Sequence, residues 1–138
     1  MTATYLADKS ALARMKHSAV AARLEPLLRD GEIATCGVVE LEVLYSARSE
    51  RDLLETRAGR AVAYERVAMS EVDFLRAEEV MALLARRGQH RAASLPDLLI
   101  AAAAERAALT VLHYDADYDL IATVTGQQTE WIAPKGSL

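Results

Sequence analysis

The chain reads as an α/β domain with a central, mainly parallel sheet and helices on both of its faces. Three observations predict this. Short apolar runs alternate with longer segments of helical spacing along all 138 residues. Helix-start signals of the form Ser-x-x-Asp recur at Ser49, Ser70 and Ser94, where a hydroxyl and a carboxylate can satisfy the free N–H groups of a first turn. No linker, low-complexity tract or repeat of solenoid length interrupts the pattern, so residues 1–138 read as one compact unit.

The elements follow in order. "ATYLAD", Ala3 to Asp8, is a short apolar run ending in an acid and reads as a strand. Ser10 to Lys16 and Ser18 to Arg29 have helical spacing, with Gly31 in place to stop the second helix. "EIATC" is the second strand, Gly37 to Arg48 the next helix, and Ser49 opens another. "RVAMS" is a third short strand. Ser70 starts a helix that Gly88 ends, and Ser94 to Ala108 forms an alanine-rich helix. "LTVLHY" and "TEWIA" complete the strands.

Composition narrows the function classes. About half the residues are apolar and 26% are charged, as in a folded soluble protein. No apolar run approaches membrane-spanning length, since Glu105 and Arg106 break "LLIAAAAERAAL". Asp8 and Lys9 lie where a signal peptide would be apolar. The single Cys36 excludes an internal disulfide and suits a reducing cytoplasm, the expected location. A net charge of −4 argues against a general nucleic-acid-binding surface, though not against a local basic rim.

The acids carry the functional signal. In a parallel sheet, ligands bind beyond the carboxyl ends of the strands, where strand order reverses. Asp8 ends the first strand, although it also suits a helix N-cap. Asp115 follows "TVLHY", and Asp117 and Asp119 come at alternate positions after it. In "GVVELEVLYSAR", helical rotation puts Glu42 on the apolar side with Val38, Val39 and Tyr45, and Glu40 on the opposite, solvated side. An ionised Glu on a buried face needs a partner or a metal. Asp97 fits the cap of "SLPDLLIAAAAE" and can still face outward at the helix end.

Clustered carboxylates are tolerable when a divalent cation neutralises them, and oxygen-only donors suit Mg²⁺ or Mn²⁺. His17, His90 and His113 are scattered without zinc spacing, and no Gly-rich phosphate loop is present. The chemistry that remains is metal-assisted attack of water on a phosphodiester.

"YLADKSALAR", "VVELEVLYSA", "SLPDLLIAAAAE" and "TVLHYDADYDLIA", in this order and spacing, resemble the PIN-domain ribonucleases, and most closely the VapC-type toxins of bacterial toxin–antitoxin pairs. The resemblance covers essentially the whole chain. It implies a three-layer α/β/α fold and a Mg²⁺- or Mn²⁺-dependent endoribonuclease, usually dimeric, inhibited by a cognate VapB-like antitoxin. Asp8, Glu42, Asp97 and Asp115 match the family's acidic quartet. Asp117 matches a further metal-side acid, and Ser10 a hydroxyl residue that supports the first Asp. Lys9 departs from the family pattern; its ammonium points away from the acids or lies near them and weakens metal binding. Ser46 replaces a frequent Gly.

On this reading Asp8, Asp97 and Asp115 hold one metal, Glu42 ligates it or orients the attacking water, and Asp117 completes a second, weaker position. Arg14, Lys16, Arg86, Arg87 and Arg91 are candidates for contact with the RNA backbone, tRNA and rRNA being candidate substrates. Asp119 reads as an ordinary acid of the last helix. Leu24 and Leu28 are core or dimer surface. Two other readings compete: a non-catalytic module of the same fold acting through its partner, and a receiver-like signalling domain, which would want a paired acid after the first strand where "LADKS" has one.

Overall fold

The structure, a computed structural model, describes residues 3–138. Five parallel strands lie in the order β3-β2-β1-β4-β5: β1 (Tyr5–Ala7), β2 (Ile33–Cys36), β3 (Glu65–Val67), β4 (Thr110–His113) and β5 (Thr129–Trp131). Seven helices connect them among the described residues: α1 (Lys9–Leu12), α2 (Ser18–Arg29), α3 (Gly37–Tyr45), α4 (Glu50–Ala63), α5 (Glu71–Ala85), α6 (Leu95–Arg106) and α7 (Asp117–Thr125). No helix among the described residues is long and apolar enough to cross a membrane.

Strand alternation separates two cores. Leu6, Ala34 and Val111 point to one face, where they meet Val39 of α3, Val80 and Leu84 of α5, the alanines of α6, and Tyr118 and Ile121 of α7. Ala7, Ile33 and Leu112 point to the other, against Ala11, Val20 and Leu24. Leu24 is thus core, and Leu28 packs half-buried against the same cluster. The strand order reverses between β1 and β4, and both strands end at the same edge of the sheet.

Three expectations need correction. The helix expected over Ser10 to Lys16 is a single turn, α1. Past that turn the backbone tightens, with the Arg14 N–H donating to the Ala11 carbonyl at 3.1 Å, and the Ser10 carbonyl it leaves accepts from the Arg14 side-chain Nη1 at 2.7 Å. The helix expected to run to Arg48 stops at Tyr45, where the Ser46 hydroxyl donates back to the Val43 carbonyl at 2.8 Å. Glu40 is not solvated. It is half-buried and bonded to Arg60 of α4 and Thr35 of β2, because α4 folds over the side of α3 that helical periodicity assigned to water.

Caps hold most of the expected starts. Ser70 and Asp73 close a full box on α5, and Asp73 also anchors Arg106 of α6 through two hydrogen bonds of 2.7 and 3.0 Å. At α4 the Ser49 hydroxyl accepts from the Asp52 N–H, but the Asp52 carboxylate reaches one residue further back, to the Arg48 N–H.

Candidate active site

Asp8 serves two roles at once. As N-cap of α1 its Oδ2 accepts from the Ser10 N–H at 3.1 Å and from the Ser10 hydroxyl at 2.6 Å. Ser10 Oγ in turn accepts from the Tyr114 N–H at 2.9 Å, tying the end of β4 to the cap. Asp8 Oδ1 faces the interior and receives the Tyr118 hydroxyl at 2.9 Å.

Asp97 lies in the first turn of α6, and its cap is divided between two residues. Ser94 Oγ accepts from the Asp97 N–H, but the Ser94 N–H donates to Asp117 Oδ2 at 3.0 Å. The carboxylate of Asp97 is therefore released from capping and sits buried, 3.1 Å from the Tyr118 hydroxyl. Asp115 follows β4; its Oδ1 accepts from the Asp117 N–H, and its own N–H donates to His113 Nδ1.

One oxygen each from Asp8, Asp97 and Asp115 lies within 4.8 Å of the others. Glu42 and Asp117 line the same cleft, of about 310 Å³, together with Lys9, Ser10, Arg14 and Ser94. The two acids at the strand-order reversal thus meet one from a helix start and one from the inner side of α3. Lys9 stands at the rim, where its charge partly offsets the acids around Glu42.

The electrostatics are those of crowded carboxylates. Burial, a hydrogen bond with Asp117 and the charges of Asp8 and Asp115 push Asp97 up to about 9. Burial raises Glu42 too, helped by the charges of Asp8 and Asp115, and its buried Oε1 has no hydrogen-bond partner. Burial and the two adjoining carboxylates keep Tyr118 a neutral phenol. A phenol has one proton and cannot donate to both acids together; a proton on the raised Asp97 carboxyl would resolve this. Burial also pushes His113 down, leaving it neutral with Nδ1 free to accept.

Oxygen-only donors, a carboxyl that burial and neighbouring negative charge push up, and a buried carboxylate oxygen without a partner all fit a hard divalent cation. Asp8, Asp97 and Asp115 could hold it directly, with Glu42 and Asp117 beside them. Asp119 lies outside the cleft, accepting from Trp131 Nε1 at 3.0 Å. Of the basic candidates Arg14 alone lines the cleft; Lys16, Arg86, Arg87 and Arg91 are exposed elsewhere, and Arg87 donates to Thr123.

Sequence reading did not assign Tyr118. Its signal was present: it falls three residues before Ile121 on α7, so an aromatic flanked by acids had to face inward.

Together the fold and site define an α/β protein with a carboxylate centre of metal-binding type at the switch point of a parallel sheet. The chain belongs to the PIN-domain family, whose pattern matches residues 5–124. It is 42% identical over 137 residues to Ribonuclease VapC21 of Mycobacterium tuberculosis, covering 99% of each chain. Ribonuclease VapC51 of the same species is 43% identical over 138 residues, covering 100% of this chain and 99% of the relative. Among solved structures, a DNA-bound VapBC from Salmonella typhimurium superposes with a TM-score of 0.76 at 17% identity, covering 95% of this chain and 99% of that one. VapBC-1 from nontypeable Haemophilus influenzae gives 0.75 at 15%, covering 93% and 97%. The last two likenesses concern the fold.

Proposed function

We propose that this chain is the ribonuclease toxin of a VapBC-type pair: an endoribonuclease that uses Mg²⁺, with Mn²⁺ able to substitute, and is neutralised by a VapB-like antitoxin. Residues 1–138 act as a single PIN domain in this reading. The observation that carries it is the convergence of Asp8, Asp97 and Asp115 on one point beside Glu42. The relatives named Ribonuclease VapC support the activity, and the VapBC neighbours support the partner.

In the mechanism, Asp8, Asp97 and Asp115 would hold the cation and Asp117 would complete a second, weaker position. The bound cation supplies a lowered pKa for water and offsets charge on the phosphate. Glu42 acts as the proton acceptor; burial and neighbouring negative charge raise its affinity for the proton of the attacking water. Ser10 and Tyr118 fix the two oxygens of Asp8 from opposite sides. Arg14 meets the RNA backbone at the rim. RNA is cut where bases are accessible, in single-stranded segments or loops of tRNA or rRNA.

An antitoxin arginine placed among the acids would pair with them and displace the cation. The active unit is a homodimer in the cytoplasm. The deciding experiment compares RNA cleavage by the wild-type chain with Asp8→Asn and Asp97→Asn, in preparations cleared of contaminating nuclease. Both variants should fold and lose cleavage, and EDTA should silence the wild type. Undiminished cleavage by both variants would remove the assignment.

A further inference from the structure

Beside the acidic cleft, Tyr114 and Trp131 at the ends of β4 and β5 stand between Arg14, just after α1, and Lys135, in the segment after β5; the hydrolytic centre does not use these four side chains together. The Arg14 guanidinium stacks on the Tyr114 ring, 4.4 Å from its centroid. Tyr114 meets Trp131 edge to face, with centroids 5.3 Å apart and planes at 86°. The Lys135 ammonium stands 5.8 Å over the Trp131 ring. The order cation, aromatic, aromatic, cation therefore runs unbroken away from the site.

Its starting point is the site itself. Arg14 lines the cleft with the five acids, and Tyr114 directly precedes Asp115. Trp131 pairs in register with His113 on the adjacent strand. Since β5 lies two strands from β1, the row extends about 10 Å from the Asp8 side of the cleft.

The row is also braced. Trp131 Nε1 donates to the exposed acid Asp119 at 3.0 Å, which fixes the ring plane. Arg23 pairs with Glu130. The Leu138 N–H donates to the Tyr114 hydroxyl at 3.0 Å, holding the segment that bears Lys135 against the aromatics. Neither Arg14 nor Lys135 has a carboxylate partner among the described residues. An overall acidic protein has here a local strip with unpaired positive charge and braced aromatic rings, the combination that binds single-stranded nucleic acid through backbone contacts and base stacking.

We propose that Arg14, Tyr114, Trp131 and Lys135 form the platform for single-stranded RNA, with a base stacked on Trp131 and the phosphates on either side of it met by Arg14 and Lys135. This rests on the ribonuclease reading and adds where the strand leaves the cleft. It also explains how a chain of net charge −4 holds a polyanion.

Trp131 is the only tryptophan of the chain, so its emission reports on this position alone. The test uses the full chain carrying Asp8→Asn, which prevents cleavage, and a single-stranded RNA of about 12 nucleotides. Anisotropy of labelled RNA measures binding, and tryptophan emission is followed with unlabelled RNA. The expected result is quenching with the same midpoint as the anisotropy. In the same background Trp131→Leu should weaken binding about tenfold, the scale of one lost stacking contact, and Trp131→Phe should recover most of it. The exposed Lys135→Gln, which leaves the ring packing intact, should flatten the salt dependence of binding by about 0.7 in logarithmic slope. RNA binding with unchanged emission and an unchanged slope would overturn the platform and leave the ribonuclease reading standing. Loss of antitoxin binding, but not RNA binding, in Trp131→Leu would reassign the strip to the protein partner. No RNA binding by the Asp8→Asn chain, nor by the wild-type chain in EDTA, would overturn the platform, while the cleavage assay judges the ribonuclease reading separately.

Discussion

Arg60 of α4 holds both carboxylate oxygens of Glu40 on α3, Nε to Oε1 at 2.8 Å and Nη2 to Oε2 at 2.7 Å. Thr35 donates to the same carboxylate at 2.5 Å, and the Arg60 guanidinium lies 4.3 Å over the Tyr64 ring. Burial alone would raise Glu40, but the bonds from Arg60 and Thr35 hold it below the usual carboxylate range. Glu42 is two residues on, roughly 200° around the helix. The Glu40 clamp thus ties down the side of α3 that faces away from Glu42, which lines the cleft.

Arg60→Ala leaves a nearly covered carboxylate without its partner and should cost about 3 kcal/mol of stability, measured by urea unfolding. Cleavage by the folded fraction should fall with it. The double variant Glu40→Gln, Arg60→Met removes the stranded charge and should regain most of the stability. If Glu42 orientation depends on the clamp, this double variant will stay slow despite being stable.

Tyr118→Phe keeps the ring between His113 and the α7 core but removes the hydroxyl shared by Asp8 and Asp97. Outer groups that orient metal ligands typically contribute 10- to 100-fold in affinity. Mn²⁺ titration of the variant should show about tenfold weaker binding with the fold retained by circular dichroism. Affinity equal to wild type would mean that the carboxylates orient one another without the phenol.

The raised Asp97 gives a signed pH dependence. A carboxyl that the fold pushes up to about 9 favours the folded state fully only below its unfolded value near 3.8, and loses that contribution as pH rises toward 9. Metal-free protein should therefore melt at lower temperature at pH 8 than Asp97→Asn, by on the order of 5 °C, with the difference vanishing near pH 4. Metal binding at pH 7 should release about one proton, measurable by calorimetry in buffers of different ionisation enthalpy.

Asp73 has the opposite sign. Hydrogen bonds from Arg106 outweigh burial and hold its carboxyl below the ordinary 3.8. Its stabilisation is present above that value and is lost as pH falls through the depressed one. Asp73→Asn should cost about 2 kcal/mol at neutral pH, and urea midpoints of variant and wild type should converge as pH falls below the ordinary 3.8.

Most of the architecture was legible in the sequence because alternation and caps are local. The five apolar runs, the Ser70 box and the Ser94 start all report on their own neighbourhoods. What failed was decided by tertiary contacts. Nothing near Glu40 in the chain announces Arg60, twenty residues on, so periodicity assigned it to water. The single turn of α1 comes with the Arg14 side chain bonded to the Ser10 carbonyl, a contact that apolar periodicity does not announce. For the site, Asp8, Glu42, Asp97, Asp115 and Asp117 were marked by position at strand ends and helix faces, and they converge. Tyr118 escaped because a buried tyrosine on an apolar face looks like packing until the carboxylates above its hydroxyl are in place.

The acids of the cleft come from four separated parts of the chain, and β4 must dock beside β1 before they meet. A chain growing on the ribosome that has reached Leu109 already carries Asp8, Glu42 and Asp97. It still lacks Asp115, the phenol beneath the acids and the strand that seats them. The carboxylate centre thus stays unassembled until β4 and the start of α7 have been made.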